Sequence, residues 1–284
     1  MNTPSDGKLR AWLQFFRIGG VGSALSGSSW GYLVSGASEF SWWGICPVLL
    51  VSFCLYLFGM SLNDLVDLEK DRGLRSGRPL PSGRLGEGEA KTACALTLLI
   101  GLFSIFMFLE RSQVYCFMMA FALVASYNLW AKHSKVVGPL TVAFARSLNV
   151  LGGMVLLDVN NEILTLGLIH FFHTVSIFRV AEGEDRERAL GWNEAFFMGL
   201  APVLMLFFEP LGAVLWGVCL LWMTHPYRGI QARSSMARLV GGMVGAFTLM
   251  EACYLLGAGF ILPSMVFLLL FLLGKKLQRA FPAG

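Results

Sequence analysis

Between Asn63 and Arg72 the chain reads Asn-Asp-Leu-Val-Asp-Leu-Glu-Lys-Asp-Arg, directly after an apolar run from Ile45 to Leu62. Four carboxylates (Asp64, Asp67, Glu69 and Asp71) therefore crowd the end of a segment that reads as a membrane span. On a continuous helix Asp64, Asp67 and Asp71 fall at i, i+3 and i+7, which puts all three on one face. Like charges stacked this way need a compensating cation. Hard oxygen ligands at that spacing suit Mg²⁺, which is usually held by one or two carboxylates together with substrate phosphates. The segment Arg72 to Arg84 follows at once and supplies Arg72, Arg75, Arg78 and Arg84.

The elements that must position these residues are membrane helices. Of 284 residues, 56% are hydrophobic and only 14% charged, with a mean hydropathy of +0.64. Soluble chains carry about 25% charged residues. Apolar stretches near 18–37, 42–62, 92–109, 114–131, 138–157, 162–179, 194–208, 211–226, 237–257 and 260–273 approach or reach the roughly 20 residues that cross a bilayer. Nine or ten spans are expected, because the turns at Glu209-Pro210 and Gly257–Gly259 are short. The stretches are continuous rather than alternating, which argues for an all-α polytopic helical bundle over a β-barrel. One domain over residues 1–284 is expected, with no cleavable signal peptide. The six cysteines lie in or beside apolar spans without metal-like spacing and read as small buried hydrophobes.

Ten spans place every basic residue except Arg111 and Arg146 on one face of the membrane. The positive-inside rule makes that face cytoplasmic. The acidic loops are then cytoplasmic in a multi-pass protein of the bacterial inner membrane. Two long polar loops, 63–91 and 180–193, share this face, and the second carries Glu182-Gly-Glu-Asp185-Arg-Glu. Two acidic clusters meeting over a helical cavity could hold two Mg²⁺ ions against a diphosphate. The metal would then neutralise the leaving group as an allylic diphosphate ionises. Lys70, Arg72, Arg75 and Arg78 add donors for phosphate oxygens, and the Phe, Trp and Met side chains could wall a tunnel for an isoprenoid tail. Nucleic acid is not an expected partner; membrane lipid is.

Asn63-Asp64-x-x-Asp67-x-x-x-Asp71, followed by Arg78-Pro-Leu-Pro-Ser-Gly83, resembles the UbiA superfamily of intramembrane prenyltransferases. Tyr127 to Lys132 and Gly138 to Gly153 are similar to that family's middle region, so the resemblance covers residues 10 to 275. It implies an all-helical fold around a central cavity open sideways to lipid, and Mg²⁺-dependent transfer of a prenyl group from a diphosphate to an acceptor. Arg146-Ser-Leu-Asn149 with Leu151-Gly-Gly153 further resembles a divergent branch, the UbiA-like EboC proteins of bacterial ebo gene clusters. Two departures stand out. The family's first span carries Arg-x-x-Asn, whereas this chain has Arg17-Ile-Gly-Gly20. The family's second motif, Asp-x-x-x-Asp, is matched here by Val180-Ala-Glu182-Gly-Glu-Asp185, without the leading Asp.

Several residues inside spans carry a second reading. Arg146 and Asn149 lie one turn apart, and a charge within a span marks a functional site by default; contact with diphosphate or acceptor is expected. His170 and His173 read as helix–helix hydrogen-bonding groups, and Glu251 as a partner for Arg146 or a cavity wall. Lys132 reads as a snorkelling or phosphate-steering residue. The resulting assignment places Asp64, Asp67 and Arg146 at the chemistry. Asn63, Arg72, Arg78, Lys132 and Asn149 bind substrate, and Asp64, Asp67, Asp71, Glu182 and Asp185 hold Mg²⁺. Three functions stay open. A prenyltransferase acting on an unidentified acceptor explains most of the sequence. A non-catalytic isoprenoid binding or export protein that keeps the diphosphate clamp would explain the altered second cluster. A small-molecule transporter explains the spans but not the acidic motif.

Overall fold

A computed structural model describes residues 4–35, 41–154, 161–185, 191–227 and 233–281. All regular structure among them is helical. Helix α1 (Pro4–Phe15) comes first, and α2 (Val21–Val34) and α3 (Trp42–Val66) follow. The short α4 (Leu68–Leu74) leads through the Arg78–Leu85 turn to the pair α5 (Glu87–Phe108) and α6 (Arg111–Leu129). Next come α7 (Val137–Leu151), α8 (Asn161–Asp185), α9 (Trp192–Leu206) and α10 (Pro210–Thr224). The chain ends in α11 (Arg233–Gly245), α12 (Phe247–Gly257) and α13 (Ile261–Ala280).

Six stretches are long and apolar enough to cross a membrane among the described residues: α3, α5, α6, the core of α8, Arg238–Gly257 and α13. Helices α7 and α9 are apolar but shorter. Burial separates the inner from the outer helices. Over half of the apolar window of α3 is buried, against 17% for α13, which presents Leu262, Leu269 and Leu273 outward. An exposed Leu or Phe on such a face is solvated by lipid chains rather than water. The chain is a polytopic membrane helical bundle.

Two apolar cores hold it together. One gathers Trp30, Val150, Met154, Ile169, Trp216, Met243 and Phe247 from α2, α7, α8, α10, α11 and α12. The other packs α3 on α5 and α6 through Val51, Cys54, Phe58, Ile105, Phe117 and Phe121. Close contact between α2 and the end of α7 is possible only because glycines face each other. A Cβ on Gly31 would stand 2.0 Å from the Val150 carbonyl oxygen, and one on Gly153 2.0 Å from that of Ser28. This crossing brings Ser23 and Ala24 of α2 opposite Arg146 and Asn149 of α7.

Two local features bear on the site. The helix carrying the acidic motif is not continuous: it stops at Val66, and Asp67 (φ −87°, ψ 4°) joins α3 to α4. The single face expected for Asp64, Asp67 and Asp71 is therefore broken at its middle residue, consistent with the weak helix preference of aspartate. Beside it, Ala11 and Phe15 of α1 pack on Leu68, Leu80, Leu85 and Ala90, which clamps α4 and the basic turn against the bundle. Lys8 adds an ion pair to Glu89 at 2.6 Å, and Arg84 donates to Gln14 at 2.8 Å.

Candidate active site

Just after α1 the backbone reverses at Arg17, whose φ of 47° makes it the one non-glycine residue with positive φ among those described. That conformation costs about 1–2 kcal/mol for an L-residue, and it is held by two hydrogen bonds to the Arg17 carbonyl. Gly20 donates through its backbone N–H and Tyr56 of α3 through its hydroxyl, both at 2.8 Å. The reversal turns the Arg17 guanidinium back onto Asp64, where Nη2 donates to Oδ1 at 2.7 Å. Gly20 is essential to this packing, because a Cβ there would lie 2.4 Å from the Tyr56 oxygen. Where the family pattern would place an Asn, Gly20 is thus packed against a tyrosine hydroxyl from the neighbouring helix, which is engaged with the Arg17 carbonyl.

Asp64 and Asp71, both buried, are joined through Arg78. The Arg78 Nη1 donates to Asp71 Oδ2 at 2.6 Å and lies 3.6 Å from Asp64 Oδ1. The turn that delivers Arg78 is stiffened by Pro79 and Pro81 and closed by Gly83 at φ 73°. Burial and the Arg17 charge push the Arg78 guanidinium down from its ordinary value, while Asp64 and Asp71 pull it back. Asp67 points elsewhere: its Oδ1 accepts from Lys132 Nζ at 2.7 Å, at the turn between α6 and α7. Asn63 Nδ2 approaches Asp64 Oδ1 at 3.4 Å.

Around these groups lie two adjoining spaces that share part of their walls. A polar chamber of about 320 Å³ is bounded by Arg17, Asn63, Asp67, Lys70, Arg75, Arg78, Tyr127, Lys132 and His133. Its walls carry five permanent cations, Arg17, Lys70, Arg75, Arg78 and Lys132, against the single carboxylate Asp67. Arg17, Asn63, Arg78 and Tyr127 also bound the second space, a largely apolar cavity of about 900 Å³ running inward between α2, α3, α6, α7, α8 and α11. Its walls include Leu55, Met60, Val124, Phe178, Val244 and Phe247, with Ser52, Tyr56, Asn128, Arg146, Asn149, Thr174, Arg238 and Gln278 among its polar members. Such a pair of spaces suits a long apolar ligand with a polyanionic head.

The expected site residues distribute unequally. Asn63, Asp67, Arg78 and Lys132 face the chamber, with Asp64 and Asp71 directly behind Arg17 and Arg78. Arg146 and Asn149 line the apolar cavity. Arg72 turns away and pairs with Glu69 at 2.5 Å on the exposed side of α4. Glu182 pairs with Arg179 at 3.4 Å rather than lining either space. The Asp185 side chain lies outside the described residues. Among the described residues no group of three His, Cys, Asp or Glu side chains is gathered as a metal cage. Glu251 does not pair with Arg146; it lies 3.1 Å from His170 in the packed interior, while His173 Nε2 is 3.1 Å from the Met243 carbonyl. Lys70 and Arg75, expected from the basic segment as phosphate donors, do line the chamber. The sequence-based assignment did not include Arg17, His133, Tyr56 and Tyr127, of which Arg17 had a signal as the surviving half of Arg-x-x-Asn.

The UbiA prenyltransferase family profile matches residues 24–192. A digeranylgeranylglyceryl phosphate synthase of Methanococcus vannielii is 32% identical over 161 residues, which is 54% of this chain and 55% of that protein. A second, from Methanococcus maripaludis strain C7, is 26% identical over 220 residues, 72% of this chain and 77% of that protein. The chain thus spans about half the length of the Methanococcus vannielii relative. In three dimensions it resembles a structure from work on digeranylgeranylglyceryl phosphate synthase in membranes, with TM-score 0.66, 21% identity and 88% and 98% of the two chains covered. It also resembles a UbiA homolog from Archaeoglobus fulgidus bound to GPP and Mg²⁺, with TM-score 0.56, 18% identity and 96% and 100% covered. By the family match across residues 24–192, the chain belongs to the UbiA prenyltransferase family.

Proposed function

We propose that the protein transfers a prenyl group from an isoprenoid diphosphate to an acceptor within the membrane, with Mg²⁺ as cofactor. The observation that carries this reading is the junction of a five-cation chamber with a long apolar cavity. The diphosphate would sit among Arg17, Lys70, Arg75, Arg78 and Lys132, and the prenyl chain would pass Tyr127 into the cavity. The relatives named digeranylgeranylglyceryl phosphate synthase, and the UbiA homolog bound to GPP and Mg²⁺, support the same donor class.

The donor chemistry of the chamber fits Mg²⁺. Asp64 and Asp67 offer hard carboxylate oxygens beside the Asn63 amide oxygen, and a bound diphosphate brings the further oxygens such an ion takes. Asp71 reads as the group that fixes Arg78. The metal would supply Lewis-acid neutralisation of the leaving diphosphate. The rest falls to the chain. Asp64 and Asp67 hold Arg17 and Lys132 by one contact each, so the remaining N–H donors of those cations can face the phosphates. Charge-assisted bonds from Arg78 and Arg17 stabilise charge building on the bridging oxygen as the C–O bond lengthens. Tyr127, which bounds both spaces and meets Phe178 edge-on with ring centroids 6.4 Å apart, offers its π-face to a developing allylic cation. The apolar walls keep water from that cation.

The orientation with the chamber on the cytoplasmic side is part of this proposal and rests on the charge asymmetry of the loops. One observation favours a second reading, a protein that binds isoprenoid diphosphate without turnover: Glu182 is engaged with Arg179 rather than turned to the chamber. Radiolabelled geranyl diphosphate given to membranes bearing the protein separates the two. Transfer of label into lipid, lost on chelation of divalent metal and in Asp67→Ala, is the expected result. Equal product from Asp67→Ala and wild type would overturn the metal assignment, and Mg²⁺-dependent binding with no transfer would favour the second reading.

A further inference from the structure

Arg146 is a second cationic station, separate from the diphosphate chamber. It lies on α7 nine residues after Val137, so it sits roughly 13 Å along the helix axis from the end nearest Lys132. It lines the apolar cavity, as does Arg238 on α11, whereas of the five chamber cations only Arg17 and Arg78 reach that space. Its guanidinium donates to the Ser23 carbonyl at 3.1 Å and the Ser23 hydroxyl at 3.3 Å. The plane lies over the Phe247 ring, 4.9 Å from its centroid. Those partners are neutral, and the described residues give Arg146 no ion pair. Glu251 acts on it through space, but the ion-pair contact of that carboxylate is with His170, at 3.1 Å.

An arginine at this depth is costly unless something compensates its charge. Three of its five N–H donors have no partner among the described residues, and the space beside them is the cavity. The surroundings hold the head in place. Asn149, one turn on, donates to the Ala24 carbonyl at 2.9 Å and accepts from Ser52 at 2.8 Å, which fixes α7 against α2 and α3. Ser23, next to Ala24 on α2, presents both of its oxygens to the same guanidinium. Arg17, Tyr56 and Arg146 all line the same cavity, so the two stations share its wall.

We infer that Arg146 recognises a second substrate, an acceptor that carries an anionic headgroup, phosphate or carboxylate, on an apolar body. This rests on the prenyltransferase reading of the cavity. With the donor's diphosphate held among the chamber cations, a headgroup on Arg146 would hold the acceptor's nucleophile along the wall between the stations, beside the allylic carbon. Each partner would then be oriented by its own charge, which is how positioning lowers the barrier of a two-substrate reaction.

Binding to the full-length protein in nanodiscs tests this, with saturating geranyl diphosphate and Mg²⁺ present so that the chamber cations are occupied. The probes are oleoyl lysophosphatidate and oleate, with the neutral monooleoylglycerol and oleyl alcohol as their uncharged counterparts. Inorganic phosphate serves as a headgroup without a lipid body. In wild type the charged lipids are expected to bind at least about tenfold tighter than their neutral counterparts, the scale of one charge-assisted hydrogen-bonded contact. Arg146→Gln should erase that ratio and Arg146→Lys retain part of it, with geranyl diphosphate affinity within about twofold of wild type in both. Whichever of phosphate and carboxylate gives the larger ratio identifies the headgroup, and competition by inorganic phosphate alone would mark a soluble anionic acceptor. A wild-type ratio near one, or a ratio that survives Arg146→Gln, overturns the proposal. So does an Arg146→Gln protein that loses geranyl diphosphate about tenfold, which would assign Arg146 to the donor. If Arg146→Gln does not fold, Arg146→Lys carries the same comparison. Failure of wild type to bind geranyl diphosphate would instead sink the donor reading, and the Arg146 ratio is then measured without it.

Discussion

Gly20 and Tyr56 are expected to tolerate change only as a matched pair. A methyl group at Gly20 would stand 2.4 Å from the Tyr56 oxygen and 3.2 Å from the ring carbon that bears it. Optimal non-bonded contact lies near 3.5 Å, so Gly20→Ala forces the tyrosine back by about 1 Å. Its hydroxyl then leaves the Arg17 carbonyl, to which it donates at 2.8 Å. Overpacking of this kind costs about 1–3 kcal/mol and the lost hydrogen bond about 1 kcal/mol. Tyr56→Phe alone forfeits only the hydrogen bond, because the Gly20 N–H still serves the Arg17 carbonyl at 2.8 Å. In the Tyr56→Phe background Gly20→Ala meets only the ring, at 3.2 Å, and a shift of a few tenths of an ångström relieves it. The double variant should therefore be more stable than the two single losses added together, by a coupling of about 1–2 kcal/mol. Thermal unfolding in detergent measures that coupling. The affinity for geranyl diphosphate reports the same event at the site, since a loosened Arg17 no longer presents its guanidinium beside Asp64. Additive losses, or a Gly20→Ala protein with wild-type stability, would refute the argument that the hydroxyl and the glycine occupy one place.

Asp71→Ala should destabilise the fold by about 3–5 kcal/mol, read as a fall in unfolding temperature, because it strips a buried guanidinium of its 2.6 Å partner. Asp67 is half-buried and faces the chamber, so Asp67→Asn should leave stability within about 1 kcal/mol of wild type while transfer of label falls at least tenfold. Arg78→Lys replaces a planar fork shared by two aspartates with a point charge; geranyl diphosphate should bind about tenfold more weakly, measured by calorimetry. Arg72→Ala, on the exposed side of α4, should change neither binding nor transfer beyond about twofold in the same assays.

Much of the site was legible as residue types near in sequence. The acids from Asp64 to Asp71 and the basic turn ending at Arg84 are local, and their crowding beside an apolar run points to a polyanion and a metal whatever the fold. The membrane helices follow from composition and length alone. Illegible was everything set by backbone geometry or by partners distant in the chain. The i, i+3, i+7 argument assumed an unbroken helix, and the break at Asp67 sends that carboxylate to Lys132 while Asp64 and Asp71 converge on Arg78. Arg17 reaches the site through a left-handed turn that propensity does not foresee in an arginine. The close packing of Gly20 on Tyr56 joins residues 36 positions apart, so no local pattern in the sequence could announce it. Glu251 illustrates the same limit, since a lone acid in a span could face Arg146 or His170, and only packing chooses.

The central claim is that one donor molecule spans both spaces, its diphosphate among the cations and its chain beyond Tyr127. A cryo-electron microscopy map of the protein in nanodiscs with geranyl diphosphate and Mg²⁺ tests it most directly. The account expects phosphate density bounded by Arg17, Arg78 and Lys132, metal density beside Asp64 and Asp67, and a prenyl chain running from Tyr127 into the apolar cavity. Phosphate density against Arg146 with the chain in the polar chamber, or ligand outside both spaces, would contradict it.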